Sequence, residues 1–249
     1  MSDGRKVSSQ RFGRAAFARR FAVVLSRPGS AENIGLTARA MKNTGFADLR
    51  LVLDGPLDPA AYRTAVHAGD ILDNARLYPD LAEALADLQL VFGATARPRK
   101  NFEVLRFEAA LDRMANAPRR ARIGLLFGNE RTGLSSTELG RSNFRFMIPQ
   151  AARQPSYNLA SAVLLALFAL FTRRGAALPA GAGPGRIPLA RREQEALRRL
   201  LLSNLEQSGF IHATNKSHMT ERISDLLGRL APTAEDRALL LALFSKGAR

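Results

Sequence analysis

Residues 122–134 read Arg-Ile-Gly-Leu-Leu-Phe-Gly-Asn-Glu-Arg-Thr-Gly-Leu. The first part, Arg122–Phe127, is a short apolar run that predicts a buried β-strand. A polar loop with two glycines follows directly, from Gly128 to Leu134. Small residues at the carboxyl end of a buried strand let backbone groups approach a ligand closely. An ordinary tight turn would look the same, so the rest of the chain must decide between the two interpretations.

Similar loops follow two other predicted strands. Gly93-Ala94-Thr95-Ala96-Arg97 comes after the apolar run at residues 90–92, and residues 148–158 come after a predicted strand at residues 144–149. Each loop has polar residues just beyond it. Three such loops in succession predict a small-molecule pocket, although each one alone would be interpreted as a turn.

Apolar runs and helical periodicity alternate along the first two thirds of the chain. This alternation, over about 170 residues, predicts an α/β fold whose mostly parallel sheet is covered on both faces. The further predicted strands are residues 21–25, 49–53 and 75–78, and the predicted helices are residues 33–44, 59–67, 80–88, 107–116 and 159–171.

The character of the sequence changes after residue 173. Glycine and proline are frequent in residues 174–188, which predicts a linker. Beyond it the pattern is purely helical, and Thr233 followed by Asp236 predicts the capped start of the last helix. A unit of this size is expected to lean on the main domain or on a partner. The predicted organisation is a basic, flexible N-terminal arm (1–20), an α/β domain (21–173), the linker (174–188) and a small all-α C-terminal extension (189–249).

Charge is the first indication of a partner. The chain has 37 Lys and Arg against 22 Asp and Glu, which gives a formal net charge of +15. A surplus of this size favours a polyanionic partner, most commonly nucleic acid. The basic residues of the N-terminal arm fit either a solvated tail or a segment that orders on contact with phosphates. The arm carries Arg5, Lys6, Arg11, Arg14, Arg19 and Arg20.

Several chemistries are not expected from this sequence. There is no cysteine, and the three histidines lack metal-ligand spacing, so we expect no metal site. Gly181, Gly183 and Gly185 do not have the dinucleotide-binding spacing, and the P-loop and serine-hydrolase motifs are absent. The longest apolar stretch, residues 159–171, is too short to cross a membrane. Without a secretory signal either, we expect a cytoplasmic protein with no membrane partner.

Three motifs resemble those of one RNA-modifying family. Asn33-Ile34-Gly35 leads to Ala38-Arg39-Ala40-Met41-Lys42, the loop Gly128–Leu134 follows, and Ser156-Tyr157-Asn158-Leu159-Ala160-Ser161-Ala162 comes last. In this order they resemble the SPOUT superfamily of methyltransferases, SpoU/TrmH branch, over roughly residues 20–173. The segment Glu206–Ile211 is similar to the C-terminal extension of the TrmJ-like tRNA (cytidine/uridine) ribose methyltransferases, which act in the anticodon loop.

The resemblance implies a fold and an activity. The fold would contain a deep trefoil knot, a rare exception to the rule against threaded chains. The protein would be a homodimer that transfers a methyl group from S-adenosylmethionine to a ribose 2′-hydroxyl of RNA, with the RNA site shared across the interface. The preferred substrate would be tRNA. Ribosomal RNA stays open as a substrate, and so does an RNA-binding protein that has lost the chemistry.

The resemblance also implies the site residues. Ala94 stands where many relatives have a hydroxyl residue, and Tyr157 replaces a usual aliphatic one. The catalytic group would comprise Asn33, Arg39, Glu130, Ser156 and Asn158. The methyl donor would be held by Ala94, Thr95, Ala96, Gly128, Ile148, Pro155, Ser156 and Tyr157.

Each catalytic assignment has a plainer alternative. We expect Arg39 to grip a phosphate and orient the 2′-oxygen while phosphate or water takes the proton, since an arginine is a poor base. Alternatively, Arg39 is simply one of several basic residues on its helix. Asn33 has the residue type of a helix N-cap, and Ser156 and Asn158 could cap the helix that follows them. Glu130 could be a solvated charge beside a turn.

Overall fold

A computed structural model of the chain describes residues 16–97, 103–151, 156–173 and 186–245. Its centre is a seven-stranded sheet in the order β3-β2-β1-β6-β4-β7-β5. Every pairing within this sheet is parallel, which confirms the predicted α/β class. The strands are β1 (Phe21–Ser26), β2 (Asp48–Val52), β3 (Arg76–Tyr78), β4 (Leu90–Ala94), β5 (Val104–Arg106), β6 (Ile123–Phe127) and β7 (Phe144–Met147).

Helices connect the strands and continue beyond the sheet. Three elements were not predicted, namely α3, α6 and β5, and each has only three to five residues. The helices along the sheet are α1 (Ala31–Thr44), α2 (Ala61–Ala65), α3 (Gly69–Asp73), α4 (Leu81–Leu85), α5 (Phe107–Asn116), α6 (Ser136–Gly140) and α7 (Leu159–Arg173). The C-terminal helices are α8 (Arg191–Gln207), α9 (Lys216–Leu230) and α10 (Ala234–Ser245).

The centre of the sheet is buried on both faces, as β1 illustrates. Phe21, Val23 and Leu25 belong to the larger hydrophobic cluster, whereas Ala22 and Val24 belong to a second cluster on the opposite face. Side chains alternate between the faces of a strand, so a strand that is apolar throughout must be covered on both sides. This explains why the strands read as continuous apolar runs.

Local signals set the ends and the position of α1. The Ser30 side chain accepts a hydrogen bond from the Asn33 amide at the start of the helix, and Gly45 ends it in a left-handed conformation with φ of 77°. Gly35 faces α2 so closely that a Cβ atom there would lie 2.0 Å from the Ala61 carbonyl oxygen. A glycine is therefore required where the two helices meet.

Charged groups hold the edge of the sheet opposite the strands' carboxyl ends. The side chain of Arg50 on β2 is fully buried and pairs with Asp48 and Asp87. Asp48 also accepts hydrogen bonds from Arg76 and Arg122. Burial alone would raise the pKa of Asp48, but the hydrogen bonds from Arg50 and Arg76 outweigh it and lower the pKa. The network therefore stabilises the fold only while Asp48 is ionised.

The C-terminal helices dock on the sheet through buried polar groups. The Asn143 amide nitrogen donates to Gln194 and to the Gly228 carbonyl, and its oxygen accepts from the Val91 amide. Gln194 in turn donates to the Gln89 and Leu189 carbonyls. The expected dependence of this unit on the main domain is visible in these contacts. The last helix starts as predicted, because Thr233 and Asp236 cap it reciprocally.

The N-terminal boundary differs from the expectation. Phe17 and Ala18 are buried in the main core, and Arg20 donates to the carbonyls of Ala117 and Pro118. The last residues of the predicted arm 1–20 therefore belong to the packed body, because an aromatic side chain there completes the core. Residues 1–15 of the arm and residues 174–185 of the predicted linker lie outside the described part. The division into domains stays a prediction.

We predict that Asp48→Asn lowers the free energy of unfolding by about 3 kcal/mol at neutral pH, because it leaves the buried guanidinium of Arg50 with only one of its two carboxylates. A carboxylate with a lowered native pKa contributes stability that is present above its unfolded pKa and lost as the pH falls through its native pKa. The difference between the proteins should therefore begin to shrink below about pH 4, the ordinary pKa of an aspartate in the unfolded chain, and should vanish only below the lowered native pKa of Asp48.

Urea denaturation at a series of pH values measures this difference. Asp54→Asn is the matched control, because Asp54 is highly exposed and lies 4.0 Å from Arg27. We expect its effect to stay within about 0.5 kcal/mol. An Asp48→Asn effect that is equally large at pH 3 and pH 7 would contradict the assigned role.

Candidate functional site

A pocket lies at the carboxyl ends of three neighbouring strands, β6, β4 and β7. In open parallel sheets this edge is where ligands bind. The walls are formed by the loop after each strand and by the start of α7. The lining residues are Ala94, Thr95, Ala96, Arg97, Phe127, Gly128, Asn129, Glu130, Arg131, Thr132, Gly133, Leu134, Ile148, Gln150, Ser156, Tyr157, Leu159 and Ala162.

The loop after β6 is held in one tight conformation. The Asn129 side-chain oxygen accepts hydrogen bonds from the amides of Arg131 and Thr132, and the Gly133 amide donates to the Asn129 carbonyl. Gly133 has φ of 66°, a region that favours glycine. A Cβ atom on Gly128 would lie 2.4 Å from the backbone of both Gly133 and Leu134. The two glycines are therefore needed to fold the loop back on itself beside the pocket.

Glu130 connects this loop to the segment after β1. One carboxylate oxygen accepts from the Asn33 side chain at 2.6 Å, and the other accepts from the Gly29 amide at 2.6 Å. Asn33 is buried, and its own side-chain oxygen accepts from the Asn158 amide group at 2.8 Å. Residues from three distant parts of the sequence thus form one hydrogen-bonded chain. The alternative of Glu130 as a solvated charge is wrong, because both its oxygens bind the protein.

Helix capping was the alternative role for Asn33 and Asn158, and it holds for only one of them. Asn33 is not the N-cap of α1, because Ser30 occupies that position and Asn33 lies inside the helix. The side-chain oxygen of Asn158 accepts from the Ala160 and Ser161 amides, so Asn158 does cap α7. Its amide group is still free to bind Asn33, and capping and site organisation therefore coexist in one residue.

The other proposed catalytic residues are placed differently. Ser156 lines the pocket just before α7. Arg39 lies six residues beyond Asn33 on the exposed side of α1 and does not line the pocket of its own chain. Its side chain has no hydrogen bond or ion pair with any residue that the structure describes. The structure therefore brings together Asn33, Glu130, Asn158 and Ser156, and it leaves Arg39 apart from them.

The residues proposed for the methyl donor lie together. Ala94, Thr95, Ala96, Gly128, Ile148, Ser156 and Tyr157 all line the pocket, whereas Pro155 lies outside the described residues. Two of these residues differ from the family pattern. Ala94 is the last residue of β4, and the Tyr157 hydroxyl donates a hydrogen bond to the Pro149 carbonyl. The loop after β7 is thus fixed by a tyrosine bond that an aliphatic residue would not supply. Donor binding itself stays a prediction.

Sequence reasoning did not single out several lining residues. Arg97 and Gln150 extend the wall at the mouth of the pocket, and Gln150 donates to the Ala96 carbonyl. Asn129 stood inside the quoted motif but was given no role, although it folds the loop and donates to the Arg27 carbonyl. Its position after a glycine and before a polar turn was the available signal, since asparagine side chains commonly bind the backbone two residues on.

The described residues have neither a metal-ligand cluster nor a membrane-spanning helix. They contain no cluster of three or more His, Asp or Glu side chains that could hold a metal ion. None of the helices seen there is both long and apolar enough to span a bilayer.

Comparison with known proteins identifies the family. The model of the SpoU rRNA Methylase family matches residues 20–168, more than half of the chain. The chain therefore belongs to the SpoU methylase family. This confirms the resemblance drawn from the three motifs and the enzyme class that it implied, an RNA methyltransferase.

Individual relatives extend the similarity beyond the family segment. The tRNA (cytidine/uridine-2′-O-)-methyltransferase TrmJ of Yersinia enterocolitica is 32% identical over 236 residues, which cover 90% of this chain and 89% of the relative. The uncharacterised tRNA/rRNA methyltransferase LasT of Escherichia coli is 36% identical over 61% of this chain and 68% of its own length. The crystal structure of TrmJ from Z. mobilis ZM4 superposes with a TM-score of 0.78 at 29% identity, covering 92% of this chain and 99% of that one.

We predict that Gly128→Ala disrupts the pocket, because the added methyl group would collide with the backbone of Gly133 and Leu134. The expected cost is about 1–3 kcal/mol of unfolding free energy, as for overpacking elsewhere. The affinity for S-adenosylmethionine in a calorimetric titration should fall at least about tenfold, since one wall of the pocket must move.

Gly140→Ala is the matched control. Gly140 ends α6 and has open space around its α-carbon, so the substitution should leave stability and donor affinity close to wild type. Equal behaviour of the two variants would contradict the role given to the loop.

Proposed function

We propose that this protein is an S-adenosylmethionine-dependent methyltransferase that modifies a ribose 2′-hydroxyl of tRNA. The observation that carries the proposal is the hydrogen-bonded chain of Glu130, Asn33 and Asn158 at the rim of a glycine-walled pocket. The TrmJ relatives, which are named as tRNA 2′-O-methyltransferases and match 90% of the chain, support tRNA as the substrate. A tRNA substrate would place the enzyme in the cytoplasm.

The pocket fits a donor that is held largely by backbone groups. Its walls combine small residues (Ala94, Ala96, Gly128) with the apolar Ile148 and the hydroxyl of Ser156. The close approach of Gly128 to the backbone of the folded loop leaves no room for a side chain there. When bound, the donor supplies an activated methyl group. The residues that we propose to hold it are those already named for the pocket, with Pro155 completing the loop before Ser156.

The protein's task in the reaction is chiefly alignment. Bringing the two reacting atoms together in a fixed geometry can supply much of a rate enhancement by itself. The Glu130–Asn33–Asn158 chain locks the β6 loop against α1 and α7, so the donor wall and the proposed RNA-contacting helix keep one relative position. In our proposal, Arg39 grips an RNA phosphate through its bidentate guanidinium and orients the 2′-oxygen. Phosphate or water then accepts the proton.

We also propose a homodimer with the RNA site shared between subunits. The helices α1 and α7 pack side by side, and both expose apolar residues: Leu36 on α1 and Leu164, Leu165 and Phe168 on α7. Phe168 is 55% exposed in the single chain. Arg39 lies on the same exposed side of α1 as Leu36, one helical turn away. Dimerisation through this apolar surface would bring Arg39 to the interface and explain its separation from the pocket of its own chain.

The deep trefoil knot belongs to the same proposal. The strand order separates sequence neighbours, since β4 lies between the consecutive strands β6 and β7. Ile148 and Gln150 after β7 and Ser156 before α7 line the pocket, and α7 packs against α1. In a knot, one segment of the chain would pass through a loop formed by another, and this would keep the three pocket loops fixed against one another.

Methylation of unmodified RNA tests the function directly. Purified protein, labelled donor and a tRNA transcript should yield a 2′-O-methylated nucleoside, identified by mass spectrometry after nuclease digestion. We expect Arg39→Ala to lower the single-turnover rate by about 100-fold, because the 2′-oxygen would no longer be held in line with the methyl group. The affinity for the donor should stay near that of the wild type. Arg39→Lys, which keeps the charge but loses the fork, should recover only part of the rate.

Arg63→Ala is the control, because Arg63 is an equally exposed arginine, on α2. Normal turnover by Arg39→Ala would remove Arg39 from the mechanism. Methylation of ribosomal RNA but not of tRNA would contradict tRNA as the substrate, but the protein would still be an RNA methyltransferase. Absence of both donor binding and methylation would instead indicate a non-catalytic RNA-binding protein.

The dimer has its own test. Phe168→Glu places a charge in the proposed apolar interface, and we expect it to convert the protein to a monomer in sedimentation velocity. Leu239→Glu, at an equally exposed leucine on α10, should leave the association unchanged. A wild-type protein that sediments as a monomer at micromolar concentration would contradict the homodimer.

A further inference from the structure

A second cavity, of about 300 Å³, lies where α6 and β7 meet the C-terminal helices α8 and α9. It is separate from the proposed donor pocket and shares none of its lining residues. Four arginines line it: Arg141 after α6, Arg145 on β7, and Arg191 and Arg198 on α8. Elements from both parts of the chain are needed to assemble this group of cations.

Within the described residues, only two of these four arginines form an ion pair with a carboxylate. Arg145 pairs with Asp225 at 2.7 Å, and Arg198 pairs with Glu195. Arg191 donates to the neutral amide oxygen of Gln194 at 2.7 Å and forms no ion pair within the described chain. For Arg141, the described residues offer neither a side-chain hydrogen bond nor an ion pair. Glu221 also lines the cavity, so three carboxylates face four guanidiniums.

The charges repel one another across the cavity. Burial lowers the pKa of Arg191 to about 10, and although Glu195 opposes this, the guanidiniums of Arg145, Arg141 and Arg198 add to it. Arg191 is still protonated at neutral pH. Several like charges therefore lie close together in this cavity, and a bound anion would relieve their repulsion.

Arg141 also connects this cavity to the site. It lines an adjoining cavity whose wall includes Asn129, Arg131 and Gly133, the loop that forms one side of the donor pocket. Thr137 lines both cavities as well. Thr137 and Arg141 thus lie between the β6 loop and the cavity that the C-terminal helices help to form.

We propose that the arginine cavity binds a phosphate group of the RNA substrate, with Arg141 and Arg191 as its principal ligands. The planar fork of a guanidinium matches the geometry of phosphate oxygens. The phosphate chemistry follows from the cavity alone, whereas the RNA as its source rests on the proposed function. In this arrangement the C-terminal extension holds the substrate at a distance from the reacting ribose.

The first experiment measures RNA binding. We expect Arg141→Ala to weaken tRNA binding about tenfold in a filter assay, as for loss of a charged hydrogen bond. The slope of log affinity against log salt should fall by about one, the contribution of one phosphate contact. Donor affinity should not change, and saturating tRNA should restore the turnover rate. Arg63→Ala serves again as the charge-matched control.

The second experiment needs no RNA. Inorganic phosphate at fixed ionic strength should raise the melting temperature of the wild type above that in chloride, and Arg141→Ala should lose most of this shift. The same shift in both proteins would place the anion elsewhere and overturn the site. If phosphate raises the melting temperature in an Arg141-dependent way but Arg141→Ala binds tRNA like the wild type, the bound phosphate does not come from the RNA.

The two proposals fail separately. If the wild type methylates tRNA but neither phosphate nor tRNA binding depends on Arg141, the phosphate site is overturned and the enzyme function stands. If no RNA is methylated but the phosphate response depends on Arg141, the cavity is an anion site and the proposed function is overturned.

Discussion

The parallel pairing of β1 with β6 is the constraint on which the site depends. The register places Leu25 opposite Phe127, so both strands end at the same level. The turn after β1 and the loop after β6 must then lie side by side, although about a hundred residues separate them in the chain. Glu130 uses that proximity, because its carboxylate reaches both the Gly29 amide and the Asn33 side chain. Without this pairing the β6 loop would not reach the segment after β1.

Much of this arrangement is readable in the sequence, because it depends on local patterns. Continuous apolar runs predicted the buried strands, and Gly45 marked the end of α1 correctly. The missed elements α3, α6 and β5 have only three to five residues, whereas the equally short α2, α4 and β3 lie within longer predicted segments. The N-cap assignment of Asn33 failed because Ser30, three residues earlier, is an equally good cap, and only the fold brings Glu130 and Asn158 to the Asn33 side chain.

Contacts made by polar groups at long range were beyond sequence reasoning. Asn143 is fully buried and joins the sheet to α8 and α9, yet nothing in its neighbours indicates that role. Arg50 is a charged residue in the middle of a buried strand, which local reasoning would place at the surface. Its burial is possible only because Asp48 and Asp87 meet it at the strand edge. Such groups fix how units dock, since a buried polar atom without its partner is costly.

The same reasoning changes what the net charge of +15 means. Arg20, Arg50 and Arg145 bind carbonyls or carboxylates inside the fold, so they are not available to RNA. A count of basic residues therefore overstates the surface that can meet a polyanion. Cations without a carboxylate partner are better guides, and Arg39 and Arg141 are of this kind within the described chain. They lie on separate elements, one on α1 and one after α6, and they do not line a common cavity.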